Sequence, residues 1–286
     1  MVAKSSLFSG FLIALASLCG TLAAPSTSPG CTQPAKIVSG TFSVTVNGTE
    51  RQYIVRVPEG YNHEKPSRVV VGFHWYGGSM QDVELDSTKY GNGSYFGLKA
   101  LGGDSTIFVA PQGIANGWMN TNGDDLAFLD TIVETIDNGL CVDTNQRFAV
   151  GFSFGGSMAY AVANSRGKTF RAVAILSGTI FTPWTDETVP ISLYVQHGVS
   201  DPANPITQGR TMRDHFVEVN GCANQTVEEP VVGSASHIKT EFKDCLSGKV
   251  VTFVAFDGVH QYSPLDADSQ TPWSPEEIWN FFLNAP

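Results

Sequence analysis

Positive charge is what this sequence has least of. Lys and Arg number 17 against 27 Asp and Glu, a formal net charge of −10, and the only charge ahead of Lys36 is Lys4. A chain so short of cations lacks the electrostatic footprint of a nucleic-acid binder or of a protein held on an anionic membrane, and neither partner is expected. Long apolar runs are also missing beyond the one near the start, so no later segment is expected to cross a bilayer. No internal repeat and no low-complexity linker interrupt the interior, which argues for one domain over residues 24–286. Neither a C-x-x-C pair nor a histidine cluster accompanies the cysteines, so no metal and no cofactor are expected. With 42% hydrophobic and 15% charged residues the chain reads as soluble and globular, and a monomer is the expected state.

The one early apolar run, residues 7–18, follows Lys4 and precedes the small residues Thr21 and Ala23. It is too short to span a membrane and reads as the core of a secretory signal peptide over residues 1–23, so the protein is expected to be extracellular. Residues 24–30 read as a short disordered leader. Cys19 would leave with the signal, and Cys31, Cys141, Cys222 and Cys245 would remain in an oxidising compartment. Cys222 and Cys245 flank a polar, turn-rich insert and are expected to pair. Cys31 with Cys141 would then pin the N-terminus to the end of a helix, although other connectivities stay open on sequence alone. Glycosylation sequons at Asn47, Asn92 and Asn224 agree with secretion.

Two period-two segments, residues 41–46 and 51–57, surround Asn47-Gly48 and predict a β-hairpin. Continuous apolar runs at 68–74, 106–110, 170–176, 191–196 and 250–256 have the pattern of strands buried on both faces. Between them, apolar residues recur at helical spacing over 125–136, and helices are predicted after residue 153, over 206–219 and from Ser274. Ser274-Pro275-Glu276-Glu277 reads as an N-cap, a first-turn proline and a capping-box glutamate. Strands alternating with helices predict an α/β protein whose mostly parallel sheet carries helices on both faces.

At the centre of that pattern stands Gly151-Phe152-Ser153-Phe154-Gly155. It fits G-x-S-x-G, the strand-turn-helix elbow that exposes a nucleophilic serine, and in this setting it predicts an α/β-hydrolase fold. In that fold an acid and then a histidine follow on loops after later strands. Asp201 comes after the run ending at Gln196, and His260 after the run ending at Phe256. His260 would accept the Ser153 proton and Asp201 would orient the imidazole. His197 is the nearest competitor for the base, but it sits too close to the acid's own strand. His63, His215 and His237 lie in polar contexts with no catalytic role. The Phe154 N–H, at a helix start, and that of Trp75 or Tyr76, in the loop after an early strand, are the expected oxyanion donors. Trp75, Tyr76, Trp118 and Tyr262 fall on loops expected near the mouth. Trp118 and Tyr262 are the candidate substrate-binding rings, since flat apolar faces are what a binding pocket offers a ligand.

FHWYGG at 73–78, VAPQG at 109–113 with Gly117-Trp118, and GFSFGGSM at 151–158 resemble secreted feruloyl esterases of the type C/D group. QHGVSD at 196–201, Gly209-Arg210, the Gly221-Cys222 and Asp244-Cys245 segments, and FDGVH at 256–260 extend the likeness over nearly the whole mature chain. That group is related to polyhydroxybutyrate depolymerase-like esterases and to acetylxylan esterases. The resemblance implies hydrolysis of hydroxycinnamoyl esters on plant cell-wall polysaccharides, with Ser153, Asp201 and His260 as the triad. No carbohydrate-binding module is expected. An acetylxylan esterase or a polyester depolymerase are alternatives on the same scaffold. A non-catalytic binding protein is a third reading, opposed by the complete Ser, Asp, His order.

Overall fold

The computed structural model describes residues 26–85, 93–183 and 187–286. The expected signal peptide and Asn92 lie outside the described residues. Nine strands form one sheet among them, in the order β1-β2-β4-β3-β5-β6-β7-β9-β8. These are β1 (Gly40–Val46), β2 (Thr49–Arg56), β3 (Ser67–Phe73), β4 (Thr106–Pro111), β5 (Val142–Phe152), β6 (Ala172–Leu176), β7 (Ser192–Gly198), β8 (His237–Phe242) and β9 (Val251–Phe256). The strands from β4 through β3, β5, β6 and β7 to β9 run parallel. Only the margins, β1/β2, β2/β4 and β8/β9, are antiparallel. In the predicted hairpin Val46 pairs with Thr49, and Asn47 and Gly48 both take positive φ, the left-handed geometry that a two-residue turn needs.

Among the described residues six α-helices cover the sheet: α1 (Met80–Leu85), α2 (Leu98–Gly102), α3 (Asp124–Gly139), α4 (Phe154–Ser165), α5 (Ile206–Val219) and α6 (Ser274–Asn284). Alternation along the strands sorts them onto two faces. Val69, Val71, Val173, Ile175 and Val195 point to the layer that holds Leu129 of α3, Met158 of α4 and Phe216 of α5. Val70, Phe148, Val150, Ala174 and Val254 point to the layer that holds Met80 of α1, Leu98 of α2 and Phe282 of α6. Helices therefore cover both faces of a mostly parallel sheet, the α/β architecture expected. No helix among the described residues is long and apolar enough to cross a membrane.

Three local expectations are corrected. The leader is ordered from residue 26. Ser28 is buried, its Oγ donates to the Leu140 carbonyl at 2.8 Å and accepts the Val142 N–H at 3.0 Å, and the adjacent disulfide joins Cys31 to Cys141. Ser274 does not cap α6: its buried hydroxyl donates to Gln196 Oε1 at 2.7 Å, a partner that only the tertiary fold brings near. The insert between Cys222 and Cys245, read as polar and turn-rich, contains the edge strand β8 at 237–242. The second disulfide joins Cys222 to Cys245, as expected. Asn47 and Asn224 are exposed.

Candidate active site

β5 ends at Phe152 and α4 begins at Phe154, so Ser153 alone makes the turn between them, at φ 57°, ψ −118°. Such a conformation costs a non-glycine residue about 1–3 kcal/mol and persists only where its surroundings impose it. Here the Ser153 N–H donates to the Leu176 carbonyl of β6 at 2.9 Å. Two glycines make the close passage possible. A Cβ on Gly151 would stand 2.1 Å from the Gly155 carbonyl oxygen, and one on Gly155 would stand 2.0 Å from that of Phe73. The tight elbow thereby packs α4 against β3 and presents the serine hydroxyl at the carboxyl end of the sheet.

Asp201 follows β7 and His260 follows β9, neighbouring strands in the same sheet. The Ser153 hydroxyl lies 2.8 Å from His260 Nε2, placed to donate, and the His260 Nδ1–H donates to Asp201 Oδ2 at 2.7 Å. The Asp201 side chain is fully buried and that of His260 is 20% exposed, so the three groups run from interior to opening. Burial pushes the Asp201 carboxyl up, but hydrogen bonds from His260 and from the Asn204 and Ala203 N–H groups outweigh it and hold it below the usual carboxylate value. Asp201 is therefore ionised beside the imidazole and keeps the proton on Nδ1, leaving Nε2 free to accept from the serine.

His197 is also brought close to Asp201, at 3.6 Å from Nε2 to Oδ2, but it is completely buried and Nε2 donates to the Asn204 carbonyl at 2.7 Å. Burial lowers its pKa, so it sits neutral under the acid's loop. His237 lies on β8, bonded to Asp266 and stacked on Trp273 with ring centroids 4.0 Å apart. It belongs to a different cluster.

Facing the elbow, the loop after β3 is fixed by His74, which is fully buried. Its Nε2 accepts the Gly113 N–H at 2.9 Å, so its Nδ1 carries the proton and donates to the Trp75 carbonyl at 2.8 Å. The Gly77 N–H donates to the Asn116 carbonyl at 2.8 Å, closing the same loop. The Tyr76 N–H and the Phe154 N–H, the latter at the first position of α4, donate to no acceptor among the described residues.

The two rings expected to bind substrate are not at the opening. Trp118 is only 2% exposed. Its Nε1 donates to the His74 carbonyl at 2.8 Å and its ring packs on Phe73 and His74, so it supports the Trp75-Tyr76 loop from beneath. Tyr262, 5% exposed, packs against Phe152, Phe96 and Trp75, behind the Phe152 ring on which His260 rests at 4.7 Å. Both are placed as supports because a large ring on a short loop buries more area by folding inward than by facing water. The exposed rings are Tyr76 and Phe181, at 73% and 55%, and they flank Phe154 with centroids 6.0 and 4.9 Å away. Phe181 gave no signal in the sequence because it belongs to no motif. Gln196 and Ser274 were also missed. Gln196 Nε2 donates to the Tyr262 carbonyl at 3.2 Å, which ties the loop after His260 to β7 and α6.

No protein-family model matches the chain. Among curated proteins, feruloyl esterase C of Emericella nidulans is 40% identical over 259 residues, covering 90% of this chain and 92% of that protein. Feruloyl esterase D of Neurospora crassa is 37% identical over 288 residues, covering 99% of each. Among solved structures, an acetyl xylan esterase from Aspergillus awamori matches with a TM-score of 0.59 at 15% identity, over 85% of this chain and 98% of that one. A ferulic acid esterase from Anaeromyces mucronatus matches at 0.54 and 14%, over 87% and 90%. At those identities the two structures speak for a shared α/β fold alone. The sequence relatives run nearly end to end, and on them the chain belongs to the fungal feruloyl esterase C/D family of carboxylic ester hydrolases.

Proposed function

We propose that this chain is a secreted serine esterase that releases ferulic or p-coumaric acid from hydroxycinnamoyl esters of plant cell-wall polysaccharides. Ser153 Oγ attacks the ester carbonyl carbon as its proton passes to His260 Nε2. The negative charge that develops on the carbonyl oxygen is met by the N–H groups of Phe154 and Tyr76. Loss of one such donor typically costs about 10²–10³ in rate. The tetrahedral species collapses to an acyl-Ser153 and the polysaccharide hydroxyl leaves with the proton from His260. Water then attacks the acyl carbon, giving its proton to Nε2, and the free acid departs as Ser153 Oγ takes that proton back. Asp201 stabilises the imidazolium in both halves.

The observation that carries this reading is the 2.8 Å contact between Ser153 Oγ and His260 Nε2 at a strained elbow, in a chain of this family. The hydroxycinnamoyl choice draws on the names of the relatives and on the flat apolar faces of Tyr76, Phe154 and Phe181 beside the serine. Two disulfides suit an oxidising compartment, and Asn47 and Asn224 are open to glycosylation. We read the enzyme as a monomer that needs neither metal nor cofactor. Methyl ferulate, acetylated xylan and a polyhydroxybutyrate film, offered side by side, separate the readings. Methyl ferulate is expected to be turned over. Ready hydrolysis of acetylated xylan with methyl ferulate untouched would move the enzyme to the acetylxylan reading.

A further inference from the structure

The described arginines divide by partner. Arg51, Arg56, Arg147, Arg166, Arg210 and Arg213 each meet a carboxylate. Arg68 and Arg171 meet none among the described residues, and both line one cavity of about 810 Å³ together with Lys168 and Lys249. Asp143 is the only acidic side chain on that wall among the described residues. Its carboxylate already accepts from the Asn145 N–H at 3.0 Å and the Gln146 side-chain amide at 2.6 Å.

Arg68 and Arg171 are held in place by neutral acceptors. Arg68 donates from Nε to Gln146 Oε1 and from Nη1 to Ser105 Oγ, each at 2.8 Å. Arg171 Nε donates to the Ala285 carbonyl and Lys249 Nζ to the terminal carboxylate of Pro286, each at 2.6 Å. Burial pulls the Lys249 ammonium below its usual pKa and the Arg171 charge adds to the effect. Arg68 is pulled down in the same way, by burial and by Arg171, with Asp143 opposing. Like charges gathered at half-buried positions are unfavourable until an anion joins them. In a chain carrying 27 acidic residues, two neighbouring half-buried guanidinium groups that meet no carboxylate among the described residues are suited to an anion from outside.

Its place in the fold separates it from the candidate active site. Arg68 opens β3, Asp143 opens β5, Arg171 precedes β6 and Lys249 precedes β9, all at the amino ends of parallel strands. Ser153, Asp201 and His260 follow the carboxyl ends. We propose that this cavity binds a uronic acid residue of an acidic polysaccharide, giving the enzyme a second hold on polymeric substrate at the opposite end of the sheet. The proposal rests on the reading that the substrate is a plant cell-wall polysaccharide ester. Guanidinium forks match carboxylates. The cavity is roomy enough for a sugar ring, and Thr144, Asn145 and Thr169 on its wall offer neutral groups to sugar hydroxyls.

Calorimetry on the full chain, titrated in turn with a short oligogalacturonide, a neutral xylo-oligosaccharide and inorganic phosphate, tests the site. The oligogalacturonide should bind, should weaken as salt is added, and should bind at least about tenfold more weakly to Arg68→Gln/Arg171→Gln. Exposed Lys168→Gln, which carries no folding burden, should weaken it several-fold. Both variants should keep the wild-type rate on methyl ferulate, since none of these residues is near Ser153. That rate is read independently of binding, so failure of the ester reading shows as absent turnover and failure of the site as absent binding. Equal affinity for the neutral oligosaccharide, tighter binding of phosphate than of the oligogalacturonide, or unchanged affinity in both variants would overturn the proposal.

Discussion

His197 Nε2 stands 3.6 Å from the same Asp201 Oδ2 that accepts the His260 Nδ1–H at 2.7 Å. Two imidazoles thus approach one carboxylate, and only one of them reaches the serine. The other is buried, and its Nε2 proton is committed to the Asn204 carbonyl. His260→Ala should lower kcat by roughly 10⁴ or more, because it removes the proton acceptor of a unit that works together. His197→Ala should act mainly on stability, by about 1–3 kcal/mol, because it strands the Asn204 carbonyl and leaves a cavity. Methyl ferulate kinetics with a urea melt on each variant separates the two effects. A larger kcat loss in folded His197→Ala would reassign the base.

Trp118 and Phe181 should behave in opposite ways. Trp118→Ala removes a buried ring and its bond to the His74 carbonyl, and should cost about 3–5 kcal/mol of stability. Exposed Tyr76→Ala and Phe181→Ala should leave the melting temperature nearly unchanged. They should raise KM for methyl ferulate several-fold while changing KM for a small acetyl ester less. Equal effects on both esters would remove these rings from the acyl site.

The elbow, the parallel strands and the chain order of Ser153, Asp201 and His260 were legible because each rests on local pattern: an apolar run, a glycine-bounded turn, a strand end. What was not legible depends on long-range partners. β8 is a polar edge strand, paired on one side only, and its sequence carries no apolar run. Ser274 has the residue type and spacing of a helix cap, yet the buried amide of Gln196 lies within reach and takes its hydroxyl. Trp118 sits in a loop by sequence, but its ring packs on Phe73 and His74 and is buried in the core layer shared with α3. A motif shows where a chain turns, and it leaves unsaid which way a ring on that turn will face.

The Cys222–Cys245 bridge joins residues 23 apart and the Cys31–Cys141 bridge residues 110 apart. In the chain-entropy account, loops of about 15 and about 100 residues correspond to roughly 3 and 4.7 kcal/mol. Cys31→Ser/Cys141→Ser should therefore lower the melting temperature more than Cys222→Ser/Cys245→Ser. Peptide mapping without reduction should recover Cys222 linked to Cys245. Recovery of Cys222 joined to Cys31 or Cys141 would contradict the fold.

Acid should destabilise the protein from near neutrality. Burial lowers the pKa of both His74 and His197, so the unfolded chain takes up these protons at about 6.5 while the native state still excludes them. Their contribution is complete above that value and is lost as the pH falls through the lowered native values. Asp201, also held low in the native state, adds a further loss at more acid pH. Urea unfolding from pH 8 to pH 4 should show stability declining below about pH 6.5, with a shallower decline in His197→Gln. A flat profile across that range would contradict the buried neutral histidines.

Fluorophosphonate labelling read by intact mass, together with methyl ferulate turnover, tests the role of Ser153 most directly. The wild type should gain one adduct, located on the peptide that carries Ser153, and should lose its turnover in step with labelling. Ser153→Ala, shown folded by an unchanged melting curve, should take no label and turn over no ester. A folded Ser153→Ala protein that keeps wild-type activity, or an adduct located on another residue, would contradict the mechanism.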